Sequence, residues 1–388
     1  MSQLKVNAIR ATAASSDAIT LATDGTCTAK ITNNLSARRL NINGAMNVAQ
    51  RATSHTITGN GGSQNGYRVV DRYKQQTRSD ANWTYSQESD GPTGFANSFK
   101  ALCTQADSAI AANVYEQFEY HFEGQDVQQL AKGTADAKQF TVSFWVKSNC
   151  PGTYILEAID DDNSRICCKT YTVPGNTNWN QFTLTFPADT TGALDDDNGA
   201  SLVLNWWTGA GSDKSSGTLQ TTWGSTVQAN RAVGQVQLGG TANNYWQITG
   251  IQVEVGDTAT DFEHRSYGEE LLRCQRYFWM AADGSRATNE HVGLFAAYGS
   301  TDIRADFQHP VQMRDTPSKY EAVGAQGSNY WRCYADGGVF YPDFLDAVKA
   351  TNTAAAVAIS DDVSTTAGVV GFWRCNNAAA RLGFDAEL

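Results

Sequence analysis

Clusters of lysine and arginine are missing from this chain. No basic run offsets a formal charge of −11, so nucleic acid and anionic membranes are excluded as its main partners. No apolar stretch is long enough to cross a bilayer, which argues against membrane insertion. The opening residues, MSQLKVNAIR, lack a signal peptide's hydrophobic region, which argues against secretory export and for a cytoplasmic assembly route. The eight cysteines include no C-x-x-C, and adjacent Cys167 and Cys168 would make a strained pair. Neither a zinc site nor a redox motif follows, and buried free thiols are the plain reading. The five histidines, His55, His121, His264, His291 and His309, include no two at metal-ligand spacing. Gly-x-Ser-x-Gly is absent, as are recognisable nucleophile motifs and long solenoid repeats. No catalytic residue, metal ligand or cofactor is therefore assigned, although carboxylates could still pair in space as glycosidase acids.

What is present points to β structure. Charged residues make up only 18%, aromatics 11%, and there are 34 glycines and 10 tryptophans. That balance favours a turn-rich all-β protein, and 388 residues are enough for two cores. Phe140, Val142, Phe144 and Val146 alternate with Thr141, Ser143, Trp145 and Lys147. Phe182, Leu184 and Phe186 alternate with threonines, and Leu202, Leu204 and Trp206 alternate across Val203, Asn205 and Trp207. Short strands separated by turn signals, without crossover helices, predict an antiparallel sandwich. Residues 1–40 are too thin to fold alone. They offer a hairpin of residues 19–21 and 26–31 about Asp24-Gly25, which must stay flexible or bury its apolar side against other chains.

Residues 246–278 organise the rest. Trp246 and Ile248 share one parity, and Ile251, Val253 and Val255 the other, with Gly250 between them. A parity flip at glycine predicts a strand with a β-bulge. A polar connector follows, and then Ser266 and Glu269 at capping-box spacing. Leu271, Cys274 and Phe278 predict one apolar helix face. This reads as the junction between a sandwich over 41–265 and a smaller, β-sandwich-like head over 266–388. In that head, residues 342–349 could form one or two further helical turns.

Residues 261–271 (DFEHRSYGEEL) and 274–278 (CQRYF) resemble a segment common in tail fibre and related virion proteins of tailed bacteriophages, especially phages of aquatic bacteria. So do residues 4–10 (LKVNAIR), 41–51 (NINGAMNVAQR) with Gly66-Tyr67 and Asp71-Arg72, and 385–388 (DAEL). The order of the strand pieces, SFWVKS early and ITGIQVEVG last, is similar to carbohydrate-binding-module jelly rolls, a likeness of fold that carries no sugar site with it. The resemblance implies a homotrimeric, non-enzymatic virion fibre. Residues 1–40 would form an intertwined base that meets other virion proteins, and the β domains would face a host surface glycan or receptor. A capsid-attached decoration fibre and a polysaccharide depolymerase are the alternatives.

Four groups could carry a site. The tetrads 160–163 and 195–198, each Asp-Asp-Asp-Asn, read as solvated loop tips, with a structural calcium as the alternative. His264 reads as a junction residue. Trp145, Trp206, Trp207 and Trp223 are expected in or near the core. Residues 329–341 (NYWRCYADGGVFY) hold more rings than one face can bury. Consecutive residues on a strand point to opposite faces, so Tyr330 or Trp331 should look outward. Tyr330, Trp331, Arg332, Tyr334, Asp336 and Tyr341 are thus candidates for sugar contact, with packing between subunits as the competing role.

Overall fold

A computed structural model describes residues 6–23, 27–29, 37–285, 289, 291–321, 327–360 and 362–388. The chain is all-β, and every strand pairing in the two larger units is antiparallel. Near the N-terminus three short strands, Ala8–Ile9, Ile19–Leu21 and Cys27–Ala29, pair in that order. The Asp24-Gly25 turn lies outside the described residues. Val6, Ile9 and Leu21 of this segment are exposed.

The central unit is a jelly-roll sandwich of a six-stranded and a seven-stranded sheet. The six-stranded sheet runs Asn180–Phe186, Phe140–Ser148, Tyr245–Val255, Ser98–Gln105, Asn82–Glu88, Ser54–Ile57. The seven-stranded sheet runs Gly224–Ser225, Arg165–Val173, Gly152–Asp160, Ala200–Ala210, Tyr115–Glu123, Tyr73–Arg78, Gln64–Tyr67. Register follows the alternation. Phe140 faces Phe186, Val142 faces Leu184 and Phe144 faces Phe182, so the apolar parity of both strands lands on one side. The core carries Trp83, Trp206 and Trp246, with Phe99 stacked on Phe118 at 4.3 Å between ring centroids. The bulge falls where the parity flips. Register breaks between Ser143 and Trp145, opposite Gly250, whose φ is +64°. A Cβ at Gly250 would come within 2.9 Å of Phe95 and Trp145, so glycine is required there twice over.

The head has its own core, built on Trp331, Trp373, Phe307 and Phe384. Phe278–Asp283, Arg381–Asp385 and Ser318–Glu321 form a three-stranded sheet. A seven-stranded sheet runs Gly338–Phe340, Trp331–Ala335, Val370–Cys375, His291–Ala297, Ile303–Gln308, Ala354–Ile359, Ala347–Ala350. The helical turns expected over 342–349 are absent. Leu345 is buried instead, the Pro342 carbonyl accepts from the Trp331 amide at 3.0 Å, and Ala347–Ala350 pairs with the alanine-rich strand beside it.

The helix between the units spans Tyr267–Gln275. The Ser266 side chain accepts from the Glu269 amide at 3.3 Å, so half the capping box forms. The Glu269 carboxylate turns away to Arg273, one helical turn on. Phe278 does not extend the apolar helix face, because it opens the next strand. There Tyr277 is buried, and its hydroxyl bonds Glu123.

This junction is packed rather than loose. Glu123 receives Arg276 at 2.8 and 2.6 Å. Arg51 pairs with Asp385 at 2.8 Å, Arg72 pairs with Glu387 and lies 3.3 Å over the Tyr277 ring, and the Tyr67 hydroxyl donates to the Leu388 carbonyl at 2.8 Å. Glu263 takes the amides of Ala37, Arg38 and Arg39. Burial here pushes the Asp71 carboxyl up to about 6, against the pull of Arg51 and Gln50. His264 packs against Phe95 and Phe262 in this neighbourhood, with its pKa lowered by burial and then by Arg39.

No disulfide joins any of the eight cysteines. Six are buried, while Cys150 is half-buried and Cys27 exposed, so the expectation of buried thiols fails at Cys27.

Candidate functional site

The strand Tyr115–Glu123 reads YEQFEYHFE, and its two parities do different work. Phe118, Tyr120 and Phe122 point into the sandwich core. Tyr115, Gln117, Glu119 and His121 point the other way, onto the outer face of the seven-stranded sheet. Register brings partners alongside. Gln117 stands between Gln76 and Trp207, Glu119 between Lys74 and Asn205, and His121 beside Val203.

Residues 211–236 climb over this face after Ala210, rejoining the sheet at its edge, where Gly224–Ser225 pairs with Arg165–Val173. They bury Trp207 with Ile155, Ile166 and Cys168 in a small second core. Where that excursion stops, a cleft of about 330 Å³ is left. Strand residues form its floor, Lys214 and Arg231 one wall, and Asp161 and Tyr115 also line it.

Two carboxylates hold the cleft in shape. Glu157 lies beneath it, fully buried, and accepts from Arg231 at 2.7 and 2.9 Å, Asn205 at 3.0 Å and Trp207 at 2.9 Å. Burial alone would lower the Arg231 pKa, but Glu157 raises it above the ordinary value. Lys214 is pushed the other way, first by burial and then by the charge of Arg231. Glu119 is the second and lines the cleft. Burial pushes its pKa up, but the His121 contact at 3.0 Å and the Gln76 carboxamide outweigh that, leaving it below the usual range. His121 Nδ1 and Asn205 Oδ1 are buried without partners. Of the two, His121 lines the cleft, and a ligand hydroxyl is the kind of group that would satisfy it.

Chemically the cleft offers the carboxylates of Glu119 and Asp161, the carboxamides of Gln76 and Gln117, the cations of Lys214 and Arg231, an imidazole and a phenol, with Ile159, Val203 and Trp207 as its apolar lining. That set suits a polyol. Reading the sequence missed it, although the signal was there in YEQFEYHFE: one parity is wholly polar, on a strand that sits between two others.

The residues singled out over 329–341 divide. Trp331 is 1% exposed and packs on Trp373 at 5.0 Å, and Tyr330 is buried too. The expectation that one of these rings faces outward is wrong, because Tyr330 precedes the strand and does not obey its alternation. Neither ring offers a face to a ligand. Arg332 and Tyr334 do sit together on the outer face, 3.3 Å apart between Nη1 and the hydroxyl. Arg332 also lies 5.3 Å from the Tyr341 ring. Asp336 sits at the turn beyond Tyr334, lines one concavity with it and takes the Thr366 hydroxyl at 2.6 Å.

The aspartate tetrads meet, with Asp162 accepting from the Asp195 amide at 2.9 Å. Asp160 is buried and paired with Lys132. Among the described residues no three acidic, histidine or cysteine side chains gather as metal ligands.

No protein-family model matches the chain. The comparison with curated proteins finds no match either. Similar solved structures include the enzymatically active domain of bacteriophage CBA120 tailspike protein 4, at 10% identity and a TM-score of 0.29, covering 56% of this chain. This chain spans about a fifth (21%) of that one. A CBM4 structure matches at 11% identity and TM-score 0.26, over 55% of this chain and 97% of that one. The family 11 carbohydrate-binding module of Clostridium thermocellum Lic26A-Cel5E matches at 12% identity and TM-score 0.26, over 53% and 100%. Likenesses this distant carry no argument about the site.

Proposed function

We propose that this chain is a phage virion fibre protein that holds a host surface glycan in the jelly-roll cleft and does not cleave it. The observation that carries the reading is the cleft itself. Glu119, His121, Gln76 and Gln117 are fixed on neighbouring strands of one sheet, so their hydrogen-bonding groups converge without reorganisation on binding. Glu119 is kept ionised by groups that already occupy it, which suits accepting from hydroxyls better than donating a proton to a leaving group. Assembly as a homotrimer accounts for the exposed Val6, Ile9 and Leu21, whose segment is too small to bury them itself. Residues 1–40 would then face the particle.

The test is a screen of host surface polysaccharides for binding, with wild type and Gln117→Ala in parallel. Binding that the variant loses supports the reading, and equal binding by both removes the cleft from it. Assaying the same mixtures for new reducing ends separates binder from depolymerase. Light scattering on the full chain reads the oligomer, and a stable monomer at micromolar concentration would end the trimer proposal.

A further inference from the structure

The head's seven-stranded sheet carries an arrangement that folding does not favour. Arg332 and Arg374 are register partners on adjacent strands, and His291 is the register partner of Arg374 on its other side. Two guanidiniums directly opposite one another repel. Among the described residues no carboxylate pairs with either one. Arg332 donates to the neutral Asn289 side-chain oxygen at 3.2 Å and to the Tyr334 hydroxyl. Arg374 lies over the Tyr334 and Phe372 rings, at 5.6 and 5.1 Å. The Nε atoms of both arginines are buried without partners.

The next row along the same face is Tyr334, Phe372 and Leu294, again in register. Tyr334 and Phe372 stack at 4.7 Å, and Leu294 and Val370 are exposed by 64% and 65%. Beyond them a concavity of about 350 Å³ opens between Tyr334, Phe372, Val339 and Val370, with Asp336 at its rim. Successive same-face rows on a strand are roughly 7 Å apart. The face therefore offers cationic, planar forks one row from an apolar, ring-lined shelf.

We infer that this face is a second saccharide site, separate from the jelly-roll cleft, which takes a uronic acid residue of an acidic glycan. Its carboxylate would lie on the Arg332–Arg374 row and its pyranose ring against the edges of the stacked Tyr334 and Phe372 rings and the exposed Val370. A uronic acid fits because its carboxylate is attached directly to the ring, which keeps charge and ring within one row spacing, and the Arg374 fork reaches to 5.1 Å from the Phe372 ring. Arginine forks match a carboxylate's two oxygens. The chain's net charge of −11 opposes an anion at long range, but beyond about 8 Å that repulsion is screened at physiological salt, and the two arginines outnumber the one carboxylate, Asp336, that lines the concavity.

Calorimetric titration of the full chain with tri-galacturonic acid tests this, with its carboxyl-reduced galactotriose as the neutral probe and glucose 6-phosphate as the phosphate probe. The expected result is binding of the uronate at least tenfold tighter than of the neutral trisaccharide, weakening with salt. Arg332→Gln/Arg374→Gln should lose that preference without a fall in melting temperature. Equal affinity for both trisaccharides, preference for the phosphate alone, or an unchanged preference in the double variant overturns the inference. So does a double variant that changes oligomeric state while binding the uronate as before, since the face would then be a subunit contact. The cleft is tested by Gln117→Ala, so failure at one site is distinguishable from failure at the other.

Discussion

Two seven-stranded sheets in this molecule treat their outward faces in opposite ways. The jelly-roll sheet is half roofed by residues 211–236, and nearly every charged group it buries has an opposite partner, as Glu157 has Arg231. The head sheet has no roof among the described residues and sets two arginines side by side. The difference teaches where charge is structural. Under a roof an unpaired charge costs several kcal/mol, so the partner is part of the fold. On an open face water covers the cost, and the charge is free to meet something else.

The largest effect should come from breaking the roofed face. Glu157→Ala strands Arg231 and removes acceptors from Asn205 and Trp207, so the jelly roll should lose about 3–5 kcal/mol in denaturant unfolding. A loss below 1 kcal/mol would mean the pairing is incidental.

One strand sharpens the contrast. Glu116 points inward from the strand that sends Glu119 outward, and burial, with only Ser79 and the Gly239 amide against it, pushes its carboxyl up to about 7. A raised folded pKa means that its stabilising contribution is complete below the unfolded value, near 4.3, and lost as pH climbs through 7. Wild type should therefore weaken between pH 5 and pH 8 by about 3 kcal/mol relative to Glu116→Gln. Parallel pH–stability curves for the two proteins would contradict this. Glu119 has the opposite sign: its pKa is depressed, so its contribution is present at neutral pH and lost only as acid protonates it.

Glycan binding comes next. Glu119→Gln keeps the shape of the side chain but removes the charge, and should weaken any cleft ligand about 10- to 100-fold, or roughly 1.5–3 kcal/mol. Titration against the polysaccharide found in the screen measures it. Undiminished affinity would place the ligand elsewhere. The smallest effect belongs to the open face. Arg374→Gln should leave the melting temperature level or slightly higher, because a like-charge pair is worth at most about 1 kcal/mol against folding. A drop of several degrees would mean that Arg374 holds the head together.

The fibre-like pieces of the sequence, apart from residues 4–10, converge on one place. Arg51, Tyr67, Arg72, Tyr277, Phe278 and Glu387 are far apart in the chain and packed together at the junction. The segments that stood out therefore report how two β units are locked, and neither candidate glycan site includes them. The helix cap at Ser266 and the bulge at Gly250 were legible for a local reason, since each depends on residues within one turn or one strand.

Alternation alone determined the strands, the sandwich, and which side of each strand is apolar, because a period of two is a property of the backbone and needs no partner. It could not say whether the polar side meets water. Gln117, Glu119 and His121 look like any solvated strand face until residues 211–236 rise beside them, and Arg332 and Arg374, 42 positions apart, become neighbours only through register. Tertiary structure decided both sites, because pairing across a sheet and shelter under a loop are long-range contacts whose partners lie far away along the chain.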